Sequence, residues 1–143
     1  MARFYTSLSE IESIVDQFSN HTLPADQWTH QAHLTVALWH LFNYTTEEAT
    51  CYLRSRIISY NQSQGKRNSP TEGYHETMTL FWIKVIDNYL KETTYNLLES
   101  CNSFLETEFS KGNYVFSFYS KDLILSTKAR AFWTEPDLKL LHT

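Results

Sequence analysis

Apolar residues recur every three to four positions along most of the chain, which is the spacing that places them on one face of an α-helix. The first such stretch follows two overlapping Ser-x-x-Glu capping boxes and predicts a helix over about residues 7–19. Its buried stripe is predicted to consist of Ile11, Ile14, Val15 and Phe18. A polar turn that ends at Pro24 breaks the pattern.

The same spacing, together with residues that favour helix starts, predicts five further helices. They cover about residues 26–43 after Asp26, 46–62 after a capping box at Thr45, 69–91 after a capping box at Ser69, 96–109 after Asn96, and 121–133 after Ser120. Residues 114–119 alternate weakly and predict an extended segment, but one strand cannot make a sheet. The predicted fold is all-α: a single helical domain over residues 1–143, a bundle of about five to six helices with an aromatic-rich C-terminal segment.

Composition supports this fold class. Glycine and proline occur three times each, too rarely for the many tight turns of an all-β sandwich or barrel. Hydrophobic residues make up 42% of the 143 residues and aromatic residues 15%, so the core is expected to be rich in rings. A chain of this length buries roughly 70% of its unfolded surface, which is enough for a substantial core.

Charge and targeting signals restrict the partners. With 12 basic and 16 acidic residues the net charge is −4, so there is no basic surplus to attract nucleic acid. No secretory signal and no membrane-spanning run is visible, which predicts a cytoplasmic protein without a membrane partner. The expected partner is a small molecule, and the sequence does not indicate an oligomeric state.

Three of the six histidines are concentrated in two short blocks, Trp28–Leu34 and Tyr74–Thr79. His30 and His33 lie one helical turn apart on the face predicted to point toward the core, and His75 occupies a similar place on another helix. An unpaired imidazole is unfavourable on such a face. Two interpretations remain: the three rings share one site, or each is separately hydrogen-bonded.

A shared site would suit a metal ion. Three neutral imidazoles bind Zn(II) or Fe(II) and leave one coordination position open for water or substrate. Glu76 would serve as a fourth ligand or as the base that acts on bound water, or else it is an exposed acid favoured by its helix dipole. His40 lies about 10 Å further along its helix than His33 and is left out of the site.

A resemblance to other protein sequences points to the same two histidine-containing blocks. The chain contains Trp28-x-His30-x-x-His33-Leu34, Asn68-Ser69, Gly73-Tyr-His-Glu-Thr-x-Thr79, Tyr119-Ser-x-x-Leu123, Ala129-Arg130 and Pro136-Asp-Leu138. This pattern resembles a family of short uncharacterised bacterial proteins over nearly the whole chain. The resemblance implies a helical fold and no particular activity, and it directs attention to Asn68, Tyr119 and Arg130.

The predicted function is that of a small metal-binding protein, a hydrolytic or oxygen-using enzyme with a Zn or Fe centre at His30, His33 and His75 and with Glu76 in a catalytic role. The predicted substrate contacts are Trp28, Asn68, Tyr74, Thr79, Tyr119 and Arg130. One alternative is a metal-free module that binds a small anionic or aromatic ligand beside Trp28, Tyr74 and Trp82. Another is a protein-interaction module that exposes the rings of residues 114–119.

Overall fold

The computed structural model of the protein describes residues 4–142, and within that range it is helical without a strand. The α-helices are α1 (Leu8–Ser19), α2 (His30–Asn43), α3 (Thr46–Ser63), α4 (Glu76–Lys91), α5 (Leu97–Glu106), α6 (Lys121–Ile124) and α7 (Thr127–Ala131). Short 3-10 helices cover Ala25–Gln27, Glu108–Ser110 and Gly112–Ser117. The predicted all-α fold class is confirmed. Each helix between residues 4 and 142 is too short or too polar to cross a lipid bilayer.

Helix α2 lies at the centre of the fold and packs against α1, α3, α4 and α5. A helix covered on several sides needs apolar residues around most of its circumference and not in one stripe. The buried residues of α2 accordingly run almost without interruption along it: Ala32, Leu34, Thr35, Val36, Ala37, Leu38, His40 and Leu41.

The start of α2 differs from the prediction. Asp26 lies in a 3-10 turn and makes no capping hydrogen bond; the cap is Thr29, whose hydroxyl accepts a hydrogen bond from the Ala32 amide at 3.2 Å. Between the two elements, Trp28 leaves the helical path and stacks its ring on Phe18, with the ring centroids 4.5 Å apart. Burial of the Trp28 ring therefore accompanies a later helix start.

Helix α4 also begins later than predicted. The Ser69 hydroxyl does accept hydrogen bonds from the amides of the following turn, but that turn ends at Gly73, whose φ is +83°. A left-handed residue cannot continue a right-handed helix. The helix starts at Glu76 instead, with His75 as its N-cap, so the capping box at Ser69 was a wrong prediction for the helix start.

The C-terminal part contains an aromatic cluster in which Phe81, Tyr114 and Phe118 contact one another. Residues 114–119, predicted as extended, instead form most of the 3-10 helix Gly112–Ser117 and the turn after it. Phe118 is buried and Tyr114 only half-exposed, so this segment does not present the exposed aromatic surface expected of an interaction module. The predicted helix over residues 121–133 is divided into α6 and α7 at Ser126, which caps α7.

Candidate functional site

Two adjoining pockets lie beside the N-terminal turns of α2 and α4, with α3 forming a further wall. The first, of about 300 Å³, has mainly hydrophobic walls and is called the apolar pocket here. Its wall residues are Trp28, His30, His33, Leu34, Val36, Ala37, Leu53, Ile57, Met78, Thr79, Trp82 and Ile83. The second, of about 360 Å³, is called the polar pocket; it shares Trp28, His33, Ile57, Met78 and Thr79 and adds Asn61, Lys66, Gly73, Tyr74 and His75.

His33 stands at the border between the two pockets. Its ring lies against the Trp28 indole, with centroids 3.7 Å apart, and its Nδ1 is 2.8 Å from the Thr29 carbonyl oxygen. A carbonyl oxygen can only accept, so Nδ1 carries the proton and donates. The lone pair of the neutral ring is therefore on Nε2, which makes this nitrogen a hydrogen-bond acceptor at the pocket border.

The protein around the pockets keeps His33 neutral. Desolvation by that protein lowers the pKa of His33 below its ordinary value of 6.5, and the nearby charges of His30 and Lys66 act in the same direction. The residue still has an exposed face, and water at that face limits the size of the shift. The direction is enough to make the imidazole uncharged at pH 7.

His30 is held by a different part of the chain from the one that holds His33. Its Nε2 donates to the Ser110 carbonyl oxygen at 2.9 Å, and its ring meets Trp82 edge-on with centroids 5.1 Å apart. This contact ties the first residue of α2 to the 3-10 helix Glu108–Ser110. It explains why two histidines one turn apart do not point their rings at one place.

His75 uses both ring nitrogens within the protein. Its Nδ1 accepts a hydrogen bond from the Met78 amide at 3.1 Å and so caps α4, while its Nε2 donates to the Ile124 carbonyl oxygen at 2.6 Å. Burial, aided by the charge of Arg130, lowers the pKa of His75 and favours this neutral form. No lone pair remains for a ligand.

Glu76 is also fully engaged. Arg54 donates two hydrogen bonds to its carboxylate, at 3.0 and 2.6 Å, and the Tyr74 hydroxyl donates a third at 2.6 Å. Burial alone would raise the pKa of Glu76, but these hydrogen bonds outweigh burial and lower it. Glu76 is neither the exposed acid nor the free base of the two sequence-based interpretations; it fastens α4 to α3.

These donors do not fit a metal ion. Across residues 4–142 no group of three or more His, Cys, Asp or Glu side chains is placed to hold one. His75 has no free nitrogen, and His30 and His33 are held by carbonyl groups in different parts of the chain. The predicted convergence of His30, His33, His75 and Glu76 on a Zn or Fe ion is not found in this geometry.

The predicted substrate contacts divide into two groups. Trp28 and Thr79 line both pockets, and Tyr74 lines the polar pocket. The other three residues form hydrogen bonds within the protein. The Asn68 side chain accepts a hydrogen bond from the Tyr74 amide and donates one to the Ile58 carbonyl. Tyr119 is buried and donates a hydrogen bond to the Thr134 carbonyl. Arg130 donates one to the Gly73 carbonyl.

Several pocket residues were not singled out from the sequence. Ile57 and Met78 belong to apolar stripes and look like ordinary core residues until the helices are packed. Lys66 lies in the most polar loop of the chain, where a lysine draws no attention. The sequence feature that could have indicated Lys66 is Gly65 immediately before it, because a glycine after a helix fixes the direction in which the chain leaves.

Comparisons with known proteins add no family assignment. No protein-family model matches the chain, and neither a curated protein nor a solved structure is significantly similar to it. The resemblance to short bacterial proteins therefore stays a prediction.

Proposed function

We propose that this protein is a binding module for a small, flat, largely apolar molecule that donates one hydrogen bond. The observation that supports this proposal is the apolar pocket with the neutral His33 imidazole on its border. Its volume, about 300 Å³, is at the lower end of the range found for small-molecule sites, which are mostly apolar with a few fixed polar groups.

The apolar walls would provide the affinity. Trp28, Trp82 and Met78 are half-buried, so each keeps surface that a ligand can remove from water. Burial of apolar area contributes about 25 cal/mol per Å² before the entropy of association is subtracted. Flat aromatic ligands suit a pocket with two indole walls because ring–ring contacts add to the area term.

His33 would provide the selectivity. A ligand with an N–H or O–H donor satisfies Nε2, whereas an isosteric ligand without a donor displaces water and leaves this nitrogen unpaired. The other imidazole, His30, also donates through one nitrogen, to Ser110, but only His33 borders both pockets. The ligand is therefore expected to place its donor near the Trp28–His33 pair.

Binding is favoured over catalysis because of what lines the pockets. The wall residues of the two pockets include no carboxylate and no thiol. The Thr79 hydroxyl, a possible nucleophile, donates its proton to the His75 carbonyl oxygen at 2.8 Å and not to a base. A single neutral imidazole without such a partner orients a ligand but completes no catalytic pair.

The proposal is tested by titrating the protein with indole and with benzothiophene, which has the same shape without the N–H. Isothermal titration calorimetry should show indole binding about two- to tenfold more tightly, the value of one hydrogen bond of about 0.5–1.5 kcal/mol. His33→Phe keeps a ring against Trp28 and should remove this preference.

The location of bound indole is determined by NMR from the signals of the four tryptophan side chains. Indole should shift the Nε1–H signals of Trp28 and Trp82, while Trp39 and Trp133, which do not line either pocket, serve as internal controls. Ile57→Trp should block the site, and Leu125→Trp, at an exposed position, should not. Saturable binding that shifts all four tryptophans equally, or no binding of either compound, would overturn the proposal.

A further inference from the structure

Lys66 is held in place at the edge of the polar pocket by the way α3 ends. Gly65 adopts a φ of +76°, its amide donates to the Gln62 carbonyl, and the Lys66 amide donates to the Asn61 carbonyl, each at 3.0 Å. These two hydrogen bonds form the Schellman arrangement that closes a helix C-terminus. The backbone of Lys66 is therefore fixed, and its side chain forms part of the pocket wall.

The Lys66 ammonium carries the only formal charge among the wall residues of the two pockets. Within residues 4–142 it makes no ion pair and no side-chain hydrogen bond. Its charge reaches His33, where it helps to lower the pKa of the imidazole. A neighbouring depression is lined by Lys66 together with Arg67 and Glu72, which carry opposite charges.

Two arginines near the pocket are already in use, and Arg67, next to Lys66 in the chain, does not line the polar pocket. Arg54 is paired with Glu76, and Arg130 donates to the Gly73 carbonyl. Phosphate groups are most often held by arginine forks or by several donors together, whereas a single ammonium matches the single charge of a carboxylate. The polar pocket offers one free cation and no fork.

We propose that the ligand is an aromatic monocarboxylate, with its ring in the apolar pocket, its hydrogen-bond donor toward His33 and its carboxylate at Lys66. This inference rests on the proposed function, because it assigns the charged end of the same ligand. It adds the chemical class of that ligand, an organic acid whose apolar body and anionic group are separated by a short arm.

The test compares indole-3-propionate with indole-3-propionamide, which share the ring and the arm and end in an anionic carboxylate or a neutral amide. At low salt the carboxylate should bind about two- to fivefold more tightly, as expected for an exposed ion pair. The preference should shrink as salt is added, because screening weakens exposed charge pairs.

Lys66→Gln should abolish the preference while leaving the affinity for the amide unchanged. Lys128→Gln, which removes a lysine from an exposed position on α7, should retain the full preference. Equal binding of the two compounds to the unmodified protein, or a preference that survives in Lys66→Gln, would overturn this inference and leave the proposed function intact. Failure of both compounds and of indole to bind would overturn the proposed function itself.

Discussion

At the scale of single residues, four of the six histidines, His30, His33, His40 and His75, donate a hydrogen bond to a backbone carbonyl group. His33 donates to Thr29 and His40 to Val36, each four residues earlier in the same helix, and His75 donates across the fold to Ile124. A carbonyl of the preceding turn is always within reach of a helical side chain. Each of these imidazoles therefore finds a partner for its N–H without a second imidazole.

The cap formed by His75 leads to a prediction about stability. His75→Ala removes the acceptor of the Met78 amide and the donor to Ile124, so the free energy of unfolding should fall by about 1–3 kcal/mol. His75→Asn keeps a side chain that can cap the helix and should recover about half of that loss. Urea denaturation measures both variants.

A chelator supplies the control for this experiment. If His75 acts only as a cap and a donor, EDTA should leave the midpoints of the unmodified protein and of both variants where they are. A midpoint of the unmodified protein that drops with EDTA, together with variants that do not respond, would show that His75 ligates a metal in solution.

The sequence allowed part of the site to be predicted at this scale. Trp28, His33, Tyr74 and Thr79 do line the pockets, but His30 and His33 are exposed and not on the core-facing side that the periodicity predicted. The partner of each histidine could not be predicted. Every residue offers a carbonyl oxygen, and which one is nearest depends on ring rotation and on where Ile124 packs.

At the scale of elements, the loop between α3 and α4 depends on two glycines in the left-handed region, Gly65 and Gly73. A side chain at Gly65 would meet nothing within 4 Å, whereas a Cβ at Gly73 would lie 2.1 Å from the Arg67 carbonyl oxygen. The two positions share their backbone conformation and differ in the space around them.

This difference predicts unequal effects of the same substitution. Gly65→Ala should lower the free energy of unfolding by about 1 kcal/mol, the cost of an alanine in this conformation. Gly73→Ala adds a clash with backbone and should cost about 3 kcal/mol or more. Thermal or chemical denaturation compares the two variants, and equal losses would contradict the close approach of the loop to Gly73.

Helix ends were predictable where one capping residue had no competitor nearby. Thr45, Asn96 and Ser120 cap the predicted helices. The predictions at Asp26 and Ser69 were wrong because a second capping residue, Thr29 or His75, follows within one or two turns. Local preference cannot choose between two caps when the choice depends on packing of Trp28 or on the φ of Gly73.

At the scale of the whole molecule, neutral histidines make stability depend on pH. Burial lowers the pKa of His40, whose side chain is fully buried beside Arg56, from 6.5 to about 4, and the pKa values of His33 and His75 are also lowered. Below pH 6.5 the unfolded chain therefore binds protons that the folded chain does not.

The free energy of unfolding should accordingly be highest above pH 6.5 and fall as the pH drops toward about 4. His40, whose side chain is buried, contributes up to about 1.4 kcal/mol per pH unit within this window. His40→Gln should lower stability at pH 7 and flatten the dependence, whereas His142→Gln, at an exposed position, should leave the slope unchanged. A flat profile between pH 7 and 5 would contradict the buried neutral state of His40.

The fold class followed from the sequence because helical periodicity is a local property that survives in any arrangement of helices. The placement of α2 at the centre could not be predicted, since a helix without a clear stripe is compatible with several positions. The pockets could not be predicted from the sequence for the same reason. They exist only where α2, α3 and α4 fail to fill the space between them.

The wall of the polar pocket is held by hydrogen bonds to residues far along the chain. Gly73 accepts a hydrogen bond from Arg130, and His75 donates one to Ile124, over sequence separations of 57 and 49 residues. A ribosome adds about 5–20 residues per second, so these partners emerge seconds after the wall they support. During synthesis the helices around the pocket would exist before their wall is fastened, and the pocket would be complete only after α7 had emerged.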